Sequence, residues 1–233
     1  MRILAVNTAT PACGVAVVDE GTVSAHAVIN SGETHARQLL PLIDRTLNSC
    51  RLTVADLDGF AAVRGPGSFT GLRIGISTIK GLAAAGGKPV TSVSSLEALA
   101  YPFSGCVFPV CALIDARKGQ VYACWYRFRD NALEPLTGEV VIPPEEAAAR
   151  FSGPCLFVGT GAGVYRSVIE SIAGSEARFA LPFQNDIRPE TVAHLGLRRL
   201  RDNDTESLDG FTPVYVRPPD AIVSPPAVLR DNG

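Results

Sequence analysis

The sequence predicts an α/β chain of two like subdomains, each a mixed sheet with flanking helices, facing each other across a cleft. Three observations point there. Short apolar runs of strand length alternate with longer stretches whose apolar residues recur at helical spacing. The order of these elements, three strands and then alternating helix and strand, begins again near residue 106, although no residue-level repeat accompanies it. With 46% hydrophobic and 19% charged residues over 233 positions, the chain can bury the core that such a fold needs.

In chain order, residues 3–6 and 14–18 are apolar runs that read as strands. Asp19-Glu20-Gly21-Thr22 is turn chemistry, and residues 23–29 read as a third strand. Residues 34–50 read as a helix with Leu39, Leu40, Ile43 and Leu47 on one face and a kink expected at Pro41. Residues 59–63 read as a buried strand ended by Gly65-Pro66-Gly67-Ser68. A second helix runs from 68 or 69 to 85, Gly86-Gly87-Lys88-Pro89 stops it, and residues 90–93 form another strand. Past Tyr101-Pro102-Phe103-Ser104-Gly105 come strands at 107–114, 121–128 and 140–142. A short helix at 144–151, a strand at 155–158 and helices at 164–173 and 191–201 follow. The reading divides the chain into residues 1–105, residues 106–217, and a tail, 218–233, in which Pro218, Pro219, Pro225 and Pro226 favour an extended or disordered state.

Twenty-one basic against 23 acidic side chains give a net charge of −2, and a split at residue 105 gives 8 against 7 and then 13 against 16. Neither half carries the positive field by which a protein grips nucleic acid as a whole. No run of about 18 apolar residues predicts a membrane span, and the start turns polar too early for a signal peptide. Six scattered cysteines without a Cys-x-x-Cys pair then read as reduced, buried thiols in a cytoplasmic protein. His26, His35 and His194 form no His-x-x-x-His pair, and there is no Gly-x-Ser-x-Gly elbow.

The most pointed local feature is Gly65-Pro66-Gly67-Ser68-Phe69-Thr70-Gly71-Leu72-Arg73-Ile74-Gly75. A Gly-rich turn entering a helix is a ready anion site, and it is equally a tight turn capped by Ser68; no Walker lysine decides between them. Gly71 and Gly75 share one helix face, a smooth strip that fits either a partner's helix or the helix of this chain that carries His35 and Leu39. Asp115-Ala116-Arg117-Lys118-Gly119-Gln120 reads as a solvated hairpin turn. Arg198, Arg199 and Arg201 read as cations favoured by a helix C-terminus rather than as an RNA patch.

Together these segments resemble the bacterial TsaB (YeaZ) family. The resemblance is carried by Ile3-Leu4-Ala5-Val6-Asn7-Thr8-Ala9-Thr10, His35-Ala36-Arg37-Gln38-Leu39-Leu40-Pro41-Leu42-Ile43, the Gly65 to Gly75 segment and Val93-Ser94-Ser95-Leu96-Glu97-Ala98-Leu99. In the second half it rests on residues 114–122 and Pro213-Val214-Tyr215-Val216-Arg217. It implies two ribonuclease-H-like subdomains of the actin-like ATPase (ASKHA) class, and a subunit for the synthesis of threonylcarbamoyladenosine at adenosine 37 of tRNA. The catalytic relative TsaD has the same fold and holds a metal with a His-x-x-x-His pair, where this chain has Ser95 and Leu99. Asn7 stands where many TsaB-like chains, like active ATPases of this class, carry an acid, and Thr160 stands where an Asp is common in TsaB-like chains.

The resemblance therefore implies a non-catalytic scaffold that binds TsaD and, with it, the TsaE ATPase, and that touches tRNA only indirectly. It implies no cofactor on this chain, with ATP or ADP and metal on the partner subunits. By position it assigns the partner surface, which homodimers can share, to His35, Leu39, Pro41, Phe69, Gly71, Arg73 and Gly75. Gly65, Gly67, Ser68, Gly159 and Gly161 become vestigial phosphate loops. Two other functions compete: a nucleotide-binding phosphotransferase or ATPase using those same loops, and a metallopeptidase, against which the missing histidine pair argues.

Overall fold

The computed structural model describes residues 1–130 and 132–217; the proline-rich tail lies outside the described residues. β1 (Arg2–Asn7), β2 (Cys13–Asp19) and β3 (Thr22–Ile29) form an antiparallel meander, and α1 (His35–Ser49) follows. β4 (Gly59–Gly65), α2 (Phe69–Gly86) and β5 (Val90–Ser94) add two strands parallel to β1, giving the order β3-β2-β1-β4-β5. After α3 (Ser95–Ala100) come β6 (Val110–Arg117), β7 (Gln120–Arg129), β8 (Ala132–Pro135) and β9 (Val140–Ile142), then α4 (Pro144–Ala149) and β10 (Cys155–Val158). α5 (Thr160–Val164), α6 (Arg166–Ala173), β11 (Ala177–Phe179) and α7 (Pro189–Arg201) complete the helices and strands among the described residues, short 3-10 turns aside.

The second sheet has the order β11-β10-β6-β7-β8, with β9 also on β7. Superimposed by order, β1, β2, β3, β4 and β5 correspond to β6, β7, β8, β10 and β11, so the duplication expected from the element pattern is real. One detail differs. Ten-residue β7 is long enough for two short partners, with β9 pairing at residues 121–123 and β8 at 126–129. β9 matches the strand expected at 140–142, whereas β8, the three-residue β11 and the short α3 have no counterpart in the sequence pattern.

Both faces of each central strand are buried, which is why the runs read as apolar throughout. Leu4 and Val6 of β1 face one core with Leu39, Leu42 and Ile43 of α1 and Ile76 and Ile79 of α2, while Ile3 and Ala5 face a second core. That second core also holds Leu195 and Leu200 of α7, Leu96 and Leu99 of α3, and Val110, Ala112 and Ile114 of β6, and so runs unbroken through both subdomains. The other face of the second sheet, with Cys111, Leu113 and Trp125, closes on α4, α5 and α6. The halves exchange their last helices: α3 leaves the first sheet to pack on β6, and α7 leaves the second half to lie across β1, β2, β4 and β5. A division at residue 105 separates the two sheets but not the two packing units.

All six cysteines are free thiols; Cys13, Cys111, Cys124 and Cys155 are buried. Burial pushes Cys13 up to about 11 and Cys155 up to about 12, far from a reactive thiolate. No helix among the described residues is long and apolar enough to cross a membrane.

Candidate functional site

Asn7, at the end of β1, is fully buried. Its Oδ1 accepts from the Ala9 N–H at 3.0 Å and its Nδ2 donates to the Ile187 carbonyl at 3.2 Å. One neighbour is a pure donor and the other a pure acceptor, so the pair fixes the amide's orientation and demands both of its ends. Asn7 thereby ties the β1–β2 turn to the segment entering α7.

The Gly-rich turn after β4 is filled by this chain's own backbone. At Gly65 (φ +117) a Cβ would lie 2.6 Å from the Val214 carbonyl oxygen, and at Gly67 it would lie 2.5 Å from that of Ala9. The Ser68 N–H is spent on the Ala9 carbonyl, at 2.7 Å, and the Ser68 hydroxyl caps α2 by accepting from Gly71 N–H at 3.2 Å. The Gly71–Gly75 strip meets the β1–β2 turn: a Cβ at Gly71 would stand 2.0 Å from the Thr8 carbonyl oxygen, and one at Gly75 2.3 Å from its hydroxyl. From α1, the His35 ring stands 3.1 Å from the Gly71 Cβ position.

The second turn repeats the pattern. A Cβ at Gly159 (φ +100) would lie 2.2 Å from the Leu113 carbonyl oxygen, and one at Gly161 would touch Val121 and Leu113. The Asn185 side chain accepts from Gly159 N–H at 2.8 Å. The Thr160 hydroxyl accepts from the Asp115 N–H at 3.2 Å, fixing the end of β6. Asp115 in turn accepts from the Arg117 N–H and the Tyr165 hydroxyl, so its turn is braced from within the chain.

Between the subdomains, Ser94 caps α3 by accepting from Leu96 and Glu97 N–H and donates its own proton to Glu139 of the second half. Burial raises the Glu139 carboxyl above its ordinary range; the Ser94 hydrogen bond and the Arg64 charge only partly offset that. Glu97 pairs with Arg199 of α7 at 2.6 Å. Ser95 and Leu99, the positions compared with the histidine pair of TsaD, are both buried in the core shared by the subdomains. The three histidines are scattered: His26 pairs with Glu190 at 3.0 Å, His35 bonds to the Thr10 carbonyl, and His194 lies against Tyr101. No three His, Cys, Asp or Glu side chains converge among the described residues.

The residues assigned to a partner surface divide. Leu39, Gly71 and Gly75 are buried inside this chain and present nothing outward, which corrects their assignment. The smooth strip of α2 is taken up by Thr8, and Leu39 packs in the core with Leu42 and Ile43. Pro41 and Arg73 are exposed, and His35 and Phe69 half-exposed. The outer faces of α1 and α2 instead show Leu40, 55% exposed, and a run of small residues, Thr70, Ser77, Gly81, Ala84 and Ala85. Leu40 does not share the face of Leu39. The signal that distinguishes them is the inward stripe Leu39, Leu42, Ile43, Thr46 and Leu47, which leaves Leu40 a quarter-turn away from its neighbours.

Residues 25–222 match the family model described as TsaD, tRNA N6-adenosine threonylcarbamoyltransferase. The chain is 34% identical over 226 residues to the tRNA threonylcarbamoyladenosine biosynthesis protein TsaB of Escherichia coli, covering 93% of this chain and 95% of that one. Its structure is similar to that of YeaZ from Pseudomonas aeruginosa, with TM-score 0.80 and 31% identity over 92% of this chain and 99% of that one. At 10% identity and TM-score 0.53, covering 86% of this chain and 99% of the other, it is also similar in fold to component A of the (R)-2-hydroxyglutaryl-CoA dehydratase of Acidaminococcus fermentans.

Proposed function

The chain belongs to the TsaB (YeaZ) family, and from that premise we propose that it serves tRNA threonylcarbamoyladenosine synthesis as a non-catalytic subunit. In this reading it binds TsaD, recruits TsaE with it, and leaves threonylcarbamoyl transfer to adenosine 37 to the TsaD subunit. The observation that carries the reading is Asn7. Where a nucleotide-processing relative needs a carboxylate facing a cation, this chain has a buried amide whose donor and acceptor are both committed to its own backbone. The glycines of both turns are likewise taken up by internal carbonyls. The docking surface is the outward side of α1 and α2, where Leu40 stands beside a small-residue face that a second helix can approach closely. The same face serves self-association when TsaD is absent.

The test is co-purification with TsaD, followed by reconstitution of tRNA modification with and without this chain. Leu40→Glu and Ser77→Arg alter exposed positions, so both variants should keep the wild-type melting curve. Each should lose TsaD binding by tenfold or more. Undiminished binding by both would reject this surface, and turnover of Mg-ATP by the chain alone would reject the non-catalytic role.

A further inference from the structure

Beyond α7 the chain runs along the first subdomain and then leaves it. Glu206 bridges to Val90 at the edge of β5, and Phe211, fully buried, enters the core beneath α1 and α2. The Val214 N–H donates to the Arg64 carbonyl at 2.8 Å, and the absence of a side chain at Gly65 lets the Val214 carbonyl close in. Tyr215 stacks on Phe69 of α2 with ring centroids 4.8 Å apart, and its hydroxyl accepts from Arg73 Nε at 3.0 Å. The Arg73 guanidinium also lies 3.9 Å over the Phe69 ring. Two residues on, Arg217 donates to the Ala116 carbonyl at 3.0 Å and to the Gln120 side chain, both at the β6–β7 turn of the second subdomain.

Seven residues thus join the start of α2 to a hairpin of the opposite sheet. We propose that residues 211–217 are a strap that holds the two subdomains in one relative orientation, with Tyr215 and Arg217 as its positioning residues. The strap spans two turns that are separate in sequence and already braced within their own subdomains. Phe211, Val214 and Tyr215 anchor it to the first subdomain and Arg217 ties its end to the second, so the segment as a whole links the two. A guanidinium donating to two acceptors is among the stronger hydrogen-bonded contacts available to a surface segment. The proposal concerns the isolated chain and does not require the α1–α2 face to bind TsaD.

Hydrogen–deuterium exchange on the full chain tests it, with Tyr215→Ala and Arg217→Ala compared with wild type. The diagnostic effects are crossed. Tyr215→Ala should speed exchange in peptides covering the β6–β7 turn, although its ring and hydroxyl engage α2. Arg217→Ala should speed exchange at residues 64–72, although its guanidinium engages the hairpin. Each crossed effect is expected to be about tenfold, the loss of one charge-assisted contact. Changes confined to each residue's own side, or no change at all, overturn the proposal. Should either alanine variant lose cooperative unfolding, Tyr215→Phe and Arg217→Gln replace them, since the first keeps the ring stack and removes only the Arg73 bond. The same crossed readout then decides.

Discussion

Replacing Asn7 by aspartate changes one atom and turns the reading of this site into a measurement. The carboxylate can still accept from the Ala9 N–H, but its second oxygen faces the Ile187 carbonyl, where the amide now donates across 3.2 Å. To restore that bond the side chain must carry a proton. Holding a carboxyl protonated against an unfolded-state value near 3.9 costs about 1.4 kcal/mol per pH unit, so about 4 kcal/mol at pH 7 and about 1.5 kcal/mol at pH 5. The folded-state pKa of the new group is raised above its unfolded value. Stability relative to wild type is therefore lost as pH climbs from about 4 and recovers as pH falls. At about 2–4 °C per kcal/mol for a chain of this size, the melting point should drop by roughly 8–16 °C at pH 7 and by far less at pH 5. Far-UV circular dichroism reads the whole fold. The emission of Trp125, the chain's single tryptophan and fully buried, reads the second subdomain. A variant as stable as wild type at both pH values that also gained affinity for Mg-nucleotide would refute the reasoning. Position 7 would then be a cation site one substitution from activity, not a structural tie.

Two more substitutions in α2 should act with opposite signs. Gly71→Ala drives a Cβ into the Thr8 carbonyl and should cost about 3 kcal/mol, whereas Gly81→Ala meets open space and should stabilise by about 0.5–1 kcal/mol; urea midpoints measure both. Glu139→Gln keeps an acceptor for the Ser94 hydroxyl and removes a carboxyl that burial holds above its ordinary range. Because that raised pKa makes wild type lose stability as pH rises from the unfolded value near 4.5, the variant should be the more stable one at neutral pH and should match wild type in strong acid. Equal melting points across pH 4–8 would exclude a desolvated carboxyl at this position.

Much of the architecture was legible because its central strands are buried on both sides. β1, β2, β4, β6 and β10 are short continuous apolar runs set off by turn residues, and their repetition in order exposed the duplication. β8 and β11 were not legible, since Ala132–Pro135 and Ala177–Phe179 each include a charged residue and lack the continuous apolar run that marks the equally short β9 and β10. Nor was the exchange of α3 and α7, because an amphipathic face does not say which sheet it will cover. The site was legible as positions and not as roles. Gly65, Gly67, Gly71 and Gly75 each announce a close approach, and no local signal tells whether a phosphate, a partner's helix or this chain's own carbonyl makes it. The residues that decide it, Thr8, Ala9 and Val214, lie more than fifty residues away in sequence from the glycines they meet, and most act through backbone carbonyls.

A two-subdomain fold that closes on a ligand needs a hinge, with polar surfaces that can part and meet again. In this chain the opposing surfaces are already engaged with each other. The core runs unbroken through both subdomains, each half's last helix is packed on the other's sheet, and Ser94–Glu139 and Arg217 on the β6–β7 turn cross between segments that opening would separate. Parting the subdomains would expose apolar area as well as break hydrogen bonds, a cost that scales with the area uncovered at about 25 cal/mol per Å². A binding surface gains from the same arrangement. Helices α1 and α2 sit on a body that need not be ordered when a partner docks, so less of the interaction energy is lost to immobilisation. The interlocking that resists parting of the subdomains is thus the rigidity that the docking proposed for the outer face would draw on.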